Sequence, residues 1–217
     1  MVANSEGLRE LALRSTPELP VAMIPNGVEL PDPLPGAAAA AQPRLLTMGR
    51  LTQQKGIDVL FRAMTRLRDL DFALDIAGDG PDRALLEQMA RDLGLADRVR
   101  FLGWVAREEI PQTFARAAVF VLASRIEGMP NVVLEAMAYG RPVVSTRVYG
   151  CEELVVEGVT GLKVDIEDEA QLAAALRTVL SDAGLRARMG VASRARVEAH
   201  FTWQHSAREY LQLAGSR

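Results

Sequence analysis

Cysteine and histidine are scarce in this sequence. Among its 217 residues there is one cysteine, Cys151, and there are two histidines, His200 and His205. A single thiol cannot form an internal disulfide bond, which favours a reducing compartment such as the cytoplasm. Three residues are too few for a histidine–cysteine metal cluster, so we assign no metal to the protein.

The sequence also lacks a long hydrophobic run and a strong net charge. No apolar stretch approaches the roughly 20 residues that span a bilayer, and Met1-Val-Ala is followed at once by polar residues, unlike a signal peptide. The net charge of -3 argues against a surface that coats nucleic acid. We expect a cytoplasmic protein with no nucleic-acid partner, and peripheral attachment to a membrane stays open.

What the sequence does contain is a regular alternation of strand-like and helix-like segments from Arg44 onward. Short apolar runs bounded by glycine predict strands, and apolar residues spaced three and four apart predict helices. The expected strands are 44–48, 72–77, 98–102, 119–122, 142–145 and 161–164, and the expected helices are 56–67, 81–93 with Pro81 in its first turn, 110–117, 131–139, 168–180, 185–200 and 202–213. Alternation of this length predicts an α/β protein with a Rossmann-like, doubly wound parallel sheet.

The pattern divides the chain into three parts. Residues 1–43 are expected to form a lead-in and linker, in which Pro31–Pro43 holds four prolines and five successive alanines. Such a composition is typical of a linker rather than of a core. Residues 44–200 form the predicted Rossmann-like domain, and residues 201–217 form a tail helix.

Glycines and basic residues follow the predicted strands, where ligands of open α/β sheets bind. Gly49 and Arg50 follow the first strand of the domain, Gly78 the second and Gly103 the third. Arg50 and Lys55 suit phosphate oxygens, because both side chains donate hydrogen bonds and carry positive charge. The alternatives are that both are solvated loop cations, and that the Gly-Asp-Gly-Pro segment at Gly78 is a plain turn.

Two carboxylates stand eight positions apart in the stretch 124–144. Glu127 lies in the loop after the fourth strand, and Glu135 lies in the apolar helix that follows. A buried carboxylate needs a hydrogen-bond donor, and the diol of a sugar or a ribose can donate two hydrogen bonds. The stretch therefore indicates a sugar- or ribose-binding corner. An ion pair of Glu135 with Arg141 or Arg147 is the alternative.

Other residues near the strand ends each allow two interpretations. The loop Gly128–Asn131 offers backbone amides at the start of a helix, although the side chain of Asn131 is also expected to cap that helix. An aromatic residue that covers the core is the favoured interpretation of Trp104, and stacking on a base is the alternative. The Glu152-Glu153 pair predicts a solvated helix start.

Taken in order, these segments resemble those of a known enzyme family. The order is Ile24-Pro-Asn-Gly-Val28, Gly49-Arg50 with Lys55-Gly56, Gly78-Asp-Gly-Pro81, Phe101-Leu-Gly103, Glu127-Gly-x-Pro-Asn131 with Glu135, and Gly158-x-Thr-Gly161. This combination resembles the retaining glycosyltransferases of the GT-B fold, and above all the glycosyltransferase 4 family, also called glycosyl transferases group 1. The resemblance runs from Val2 to the region of Trp203. It matches the C-terminal, donor-binding domain, which is one half of the GT-B fold.

The resemblance implies a role for each matching residue. Arg50 and Lys55 would hold the donor diphosphate and stabilise the departing nucleotide in place of a divalent cation. Glu127 would complete the catalytic set by positioning the sugar rather than by attacking it, and Glu135 would bind the ribose hydroxyls. The other donor contacts would come from Gly49, Gly78, Gly103, Val105, Gly128, Met129, Pro130 and Asn131. The sequence departs from the family at Gly150-Cys151-Glu152, where relatives often have small residues before the glutamate.

The resemblance also implies partners. The substrate would be a nucleotide-diphosphate sugar, with UDP and GDP as expected nucleotides, and no cofactor would be required. An N-terminal acceptor-binding domain would complete the cleft in cis or in trans, and the chain alone would not transfer a hexosyl group. A non-catalytic module that binds a nucleotide or docks a subunit is the alternative, and a sugar-nucleotide epimerase is a weaker one. The motifs do not specify the base, the sugar or the acceptor.

Overall fold

The computed structural model describes residues 1–31 and 42–215. Most of the segment predicted as a linker therefore lies outside the described residues. The strands are β1 Val2–Ala3, β2 Ala22–Met23, β3 Arg44–Met48, β4 Ala73–Ala77, β5 Val99–Gly103, β6 Val119–Leu122, β7 Val143–Thr146 and β8 Gly161–Val164. The α-helices are α1 Glu6–Ser15, α2 Ile57–Thr65, α3 Arg83–Asp92, α4 Ile110–Arg116, α5 Asn131–Ala138, α6 Cys151–Leu154, α7 Glu169–Ser181, α8 Ala183–His200 and α9 Trp203–Gly215.

Six strands form one sheet in the order β5-β4-β3-β6-β7-β8, and all of their pairings are parallel. The chain runs outward from β3 to β5, returns to the other side of β3, and runs outward again from β6 to β8. The direction reverses between β3 and β6, which makes this the topological switch point. The doubly wound, Rossmann-like α/β fold predicted from the sequence is confirmed.

Helices cover both faces of the sheet, so its central strands are buried on both sides. Neighbouring residues of one strand enter different layers. Leu45 belongs to a buried cluster that includes side chains of α2, α3 and α7, whereas Leu46 belongs to a second cluster with side chains of α4, α5, α6 and α8. All residues of β6 are buried. This double burial explains why β6 is an uninterrupted apolar run in the sequence.

Element boundaries of the sheet domain agree with the predicted ones to within two residues, and the start of α3 shows why they differ. The helix begins at Arg83, so the placement of Pro81 in its first turn is wrong. The amide of Asp82 donates to Leu51 O at 3.1 Å, and that of Arg83 donates to Gly80 O at 3.1 Å. These bonds make a turn that ties α3 to the loop after β3. The short helix α6 lies where the Glu152-Glu153 pair predicted a helix start.

The N-terminal segment lies against the loop that follows β6. Strands β1 and β2 pair in a separate two-stranded parallel sheet. Leu8 of α1 lies beside Gly128, where an added Cβ would come within 2.8 Å of Leu8 Cδ1. Val28 N donates to Phe201 O at 2.9 Å, which links the segment to the C-terminal end of α8. None of the helices in the described ranges is both long and apolar enough to cross a bilayer.

Candidate functional site

The candidate site lies at the carboxyl edge of the sheet, on both sides of the switch point. The loop after β3 carries Gly49, Arg50 and Lys55, and the loop after β6 carries Ser124 and Glu127. Because β3 and β6 are neighbours in the sheet, these loops leave it side by side, although Lys55 and Glu127 are 72 residues apart in sequence. Ligands of doubly wound sheets bind at this position.

Three glycines with positive φ close the ends of β3, β4 and β5. Gly49 N donates to Ala77 O at 2.9 Å, and Gly78 N donates to Gly103 O at 2.7 Å. An added Cβ on Gly78 would lie 2.0 Å from Gly49 O. The backbones therefore form a close-packed floor, and a larger residue than glycine at Gly78 would disrupt it.

Lys55 and Glu127 meet across the switch point. Lys55 Nζ lies 2.6 Å from Glu127 Oε1, and the Ser124 hydroxyl donates to the same oxygen at 2.7 Å. The Lys55 and Glu127 side chains are only 21% and 11% exposed, so the interpretation of Lys55 as a solvated loop cation is wrong. Gly56, where an added Cβ would lie 1.9 Å from Ala123 O, packs the Lys55 turn tightly onto the end of β6. The structure thus places Lys55, the residue predicted to bind phosphate, in contact with Glu127, the residue predicted to bind the sugar.

Arg50 lines a cavity of about 440 Å³ beside the glycine floor. Its side chain is exposed and, within the described ranges, has no hydrogen-bond or ion-pair partner, so it is available to an anion. Trp104 and Val105 form part of the same cavity. Trp104 is 84% exposed, so the expectation that it covers the core is wrong. Its ring face is available for stacking.

Glu135 lines an adjoining cavity of about 450 Å³, and Ile110 contributes to both cavities. Among the residues that the structure describes, none donates a hydrogen bond to the Glu135 carboxylate, and burial raises its pKa. Arg141 donates instead to backbone carbonyl groups, and Arg147 pairs with other carboxylates. The alternative in which Glu135 pairs with one of these arginines is therefore wrong. A partly buried carboxylate beside a cavity is suited to accept hydrogen bonds from a ligand.

The loop Gly128–Asn131 leads into α5 without a side-chain cap from any described residue. The expectation that Asn131 caps this helix is wrong, because Asn131 Oδ1 accepts a hydrogen bond from Asn26 Nδ2 at 2.7 Å. Met129 is buried, and its sulfur accepts from Asn26 N at 3.2 Å. Pro130 occupies the position before the helix. Asn26 was not among the predicted site residues, although it lies in the Ile24-Pro-Asn-Gly-Val28 segment of the family resemblance.

Helix α6 lies behind this loop. An added Cβ on Gly150, which has φ +76, would lie 2.5 Å from Gly128 O. The adjacent Cys151 is fully buried, and burial raises the pKa of its thiol to about 12. Glu152 is exposed, as predicted, whereas Glu153 accepts a hydrogen bond at 2.7 Å from the first amide of α1. Close-packed protein therefore lies behind this part of the site.

The structure brings most of the predicted site residues to one edge of the sheet but distributes them over neighbouring places. Gly49, Arg50, Gly78 and Val105 line the first cavity, Asn131 and Glu135 line the second, and Lys55 and Glu127 meet at the switch point. Cations, hydrogen-bond acceptors and an exposed aromatic ring together suit an anionic, hydroxyl-rich ligand with a planar group. Residues 1–31 and 42–215 contain no group of three histidine, cysteine, aspartate or glutamate residues able to hold a metal ion. Metal independence stays a prediction.

Comparisons of the sequence with known proteins give a consistent family. A family model described as glycosyl transferases group 1 matches residues 42–182. The lipopolysaccharide core biosynthesis glycosyltransferase LpsE of Rhizobium meliloti is 36% identical over 178 residues, which cover 82% of this chain and 51% of LpsE. The GDP-mannose-dependent alpha-(1-6)-phosphatidylinositol monomannoside mannosyltransferase of Mycolicibacterium smegmatis is 37% identical over 185 residues, which cover 81% and 48% of the two chains. The chain spans about half the length of the curated relatives it matches.

Solved structures share the fold. HepE from Anabaena, in complex with UDP and glucose, has a TM-score of 0.89 at 24% identity, covering 100% of this chain and 63% of HepE. Sucrose-phosphate synthase from Thermosynechococcus elongatus has a TM-score of 0.87 at 30% identity, covering 99% of this chain and 57% of the synthase. This chain therefore has the fold of one part of each larger protein.

Proposed function

The chain belongs to the group 1 glycosyl transferases, and we propose that it is the donor-binding half of a retaining, metal-independent hexosyltransferase of the glycosyltransferase 4 type. The enzyme would transfer a hexosyl group from a nucleotide-diphosphate sugar to an acceptor. The observation that carries the proposal is the contact between Lys55 and Glu127 at the switch point, with Arg50 on the same loop as Lys55.

The proposed task of Arg50 and Lys55 is to bind the diphosphate and to stabilise the negative charge that grows on it as the bond to the sugar breaks. Two cations on one loop can do this without a metal, and Lys55, which Glu127 already orients, needs little reorganisation. Arg50 has no competing partner among the described residues, and Lys55 is held in place by Glu127. Arg50 and Lys55 would therefore bind the phosphate next to the sugar.

The other polar groups fit the remaining parts of a nucleotide sugar. Glu135 would accept hydrogen bonds from the ribose hydroxyls, since its carboxylate has no donor among the described residues. Glu127 and the amides of Gly128 and Met129 would position the transferred sugar. The backbone at Gly103 and Val105 would frame the base. The names of the compared proteins include GDP-mannose and UDP, so both nucleotides are candidates.

We further propose that an N-terminal acceptor-binding half, in cis or in trans, is needed for transfer. This part of the proposal is supported by the coverage of about half of each relative's length. The relatives are named for lipopolysaccharide and for a phosphatidylinositol mannoside. A cytoplasmic enzyme that associates peripherally with a membrane to reach such an acceptor is part of the same proposal.

Titration calorimetry of the chain with UDP, GDP and ADP tests donor binding. Arg50→Ala and Lys55→Ala should each weaken binding of the preferred nucleotide at least tenfold, since a hydrogen bond to a charged group contributes about 1.5–3 kcal/mol. Glu135→Ala should weaken nucleotide binding but not the binding of pyrophosphate. EDTA should leave all affinities unchanged.

Arg177→Ala serves as the control, because Arg177 pairs with Asp69 on the surface of the domain. Its nucleotide affinity should equal that of the wild type. If the wild-type chain binds none of the three nucleotides, the proposed function is wrong. Nucleotide binding without sugar transfer after an N-terminal half has been supplied would instead favour the non-catalytic module.

A further inference from the structure

The loops that carry Lys55 and Glu127 are joined by a second set of contacts, centred on Arg125. Arg125 N donates to Gln54 O at 2.8 Å, and Gln54 Nε2 donates to Ile126 O at 2.8 Å. These bonds connect the turn just before Lys55 to the residues just before Glu127. The two loops are therefore linked through their backbones as well as through the ion pair.

The Arg125 side chain adds an ionic clamp to the same loops. Its guanidinium forms a two-pronged pair with Asp58, at 2.9 and 2.8 Å, and it also donates to Gln53 O. The hydrogen bond to Asp58 raises the pKa of Arg125. Burial acts to raise the pKa of Asp58, but the hydrogen bonds and charges of Arg125 and Arg62 outweigh burial and lower it. Both partners of the clamp are therefore charged at neutral pH.

The two acceptors of this clamp stand on either side of Lys55. Gln53 opens the short 3-10 turn that ends at Lys55, and Asp58 lies in the first turn of α2. A planar guanidinium that binds both fixes the path of the turn, because its donors have a rigid relative geometry. That path fixes the backbone position from which the Lys55 side chain reaches Glu127.

A third acceptor anchors the clamp to the loop before α7. The Glu167 carboxylate accepts a hydrogen bond from Arg125 and lies 4.0 Å from a nitrogen of Arg62. Glu167 has φ +66, a left-handed conformation that is disfavoured for residues with a Cβ. Ion pairs that hold its carboxylate favour this conformation. The clamp thus joins three loops at the carboxyl edge of the sheet.

We propose that Arg125 is a positioning residue of the donor site, which sets the geometry of the Lys55–Glu127 pair without touching the donor. What the pair binds rests on the proposed function. The effect of Arg125 on the Lys55–Glu127 pair is independent of the proposed function, because this effect is a property of the protein without ligand. The two can therefore be tested separately.

A double-mutant cycle measures the effect. The coupling between Lys55→Met and Glu127→Gln is obtained from midpoints of urea unfolding, first with Arg125 present and then in an Arg125→Ala background. We expect the non-additive part of the midpoint shift to fall by at least half in Arg125→Ala. UDP affinity should fall about tenfold, and Arg125→Lys should restore only part of both quantities, because an ammonium cannot form the two-pronged pair.

Arg177→Ala is a matched control. Arg177 forms a two-pronged pair with Asp69, at 2.6 and 2.8 Å, and donates to Arg66 O at 3.1 Å, beyond the C-terminal end of α2. Its loss should lower the unfolding midpoint without changing the Lys55–Glu127 coupling or UDP affinity. If Arg125→Ala does not fold, Asp58→Asn supplies the same comparison.

An unchanged Lys55–Glu127 coupling in the Arg125→Ala or Asp58→Asn background overturns the positioning role, whether or not UDP binds. Equal losses of coupling in Arg125→Ala and Arg177→Ala overturn it as well. Failure of the wild-type chain to bind UDP, GDP or ADP refutes the donor site instead, and the coupling measurement still decides the role of Arg125.

Discussion

Replacing Glu127 by glutamine tests whether a phosphate competes for Lys55. The Glu127 carboxylate accepts from Lys55 at 2.6 Å and from the Ser124 hydroxyl at 2.7 Å. A phosphate oxygen that binds Lys55 must share the ammonium with this carboxylate and approach its negative charge. Glu127→Gln removes the charge but keeps the length of the side chain and one acceptor oxygen.

Glu127→Gln is expected to lower the stability of the chain and to raise its affinity for pyrophosphate. A hydrogen bond to a charged group contributes about 1.5–3 kcal/mol, and glutamine keeps part of it, so the chain should lose about 1 kcal/mol of stability. Two like charges about 5 Å apart repel each other by about 1–3 kcal/mol at effective dielectric constants of about 80 to 20. Removing that repulsion should tighten pyrophosphate binding about tenfold, since about 1.4 kcal/mol corresponds to a factor of ten.

Calorimetry at constant ionic strength with pyrophosphate and with UDP-glucose measures the change. The gain should be smaller for UDP-glucose, because the substitution also weakens the proposed contact to the sugar. Glu198→Gln is the control, since Glu198 pairs with Arg194 at 2.5 Å on α8, and it should bind like the wild type. If Glu127→Gln binds pyrophosphate no more tightly than the wild type does, Lys55 is not a diphosphate ligand.

The remaining predictions concern a partly buried carboxylate, two glycines and an exposed ring. Burial raises the pKa of the Glu135 carboxyl group above its ordinary value of 4.5. The folded state therefore binds the carboxyl proton more strongly than the unfolded state does, and wild-type stability falls as the pH rises above 4.5. In urea unfolding, Glu135→Gln should be more stable than the wild type at pH 7, and this difference should disappear at pH 4. Gly56→Ala should lower the free energy of unfolding by at least about 2 kcal/mol, because its Cβ would lie 1.9 Å from Ala123 O. Gly158→Ala, which has a similar φ but open space around it, should lower it by about 1 kcal/mol. Equal losses in the two variants would contradict the packing argument. Trp104→Ala should change stability by less than about 0.5 kcal/mol but weaken UDP binding about tenfold, since a stacked base contributes about 1–3 kcal/mol; unchanged calorimetric affinity would remove Trp104 from the site.

The sheet was predictable because its signals are local. Apolar runs such as the one in β6 and glycines such as Gly49, Gly78 and Gly103 define where strands end, and the order of elements implies a doubly wound topology. That topology already places the loops after β3 and β6 at one edge. The family and fold therefore followed from patterns that each span a few residues.

The contacts within the site were less predictable, because they depend on side chains brought together from distant segments. Asn131 is a good helix cap by type, yet its side chain contacts Asn26, which lies 105 residues earlier. The Lys55–Glu127 contact follows from strand order rather than from spacing. Arginines near Glu135 in sequence suggested an ion pair, but they are engaged elsewhere in the fold.

Cys151 gives the protein an intrinsic reporter of loop opening. It is the only thiol in the sequence, it is 0% exposed, and it adjoins Gly150, which packs against Gly128. A thiol reagent can therefore reach it only through a separation of α6 from the structure packed around it. The labelling rate of the native chain would report how often that separation occurs, and a ligand that braces the loop would slow the reaction.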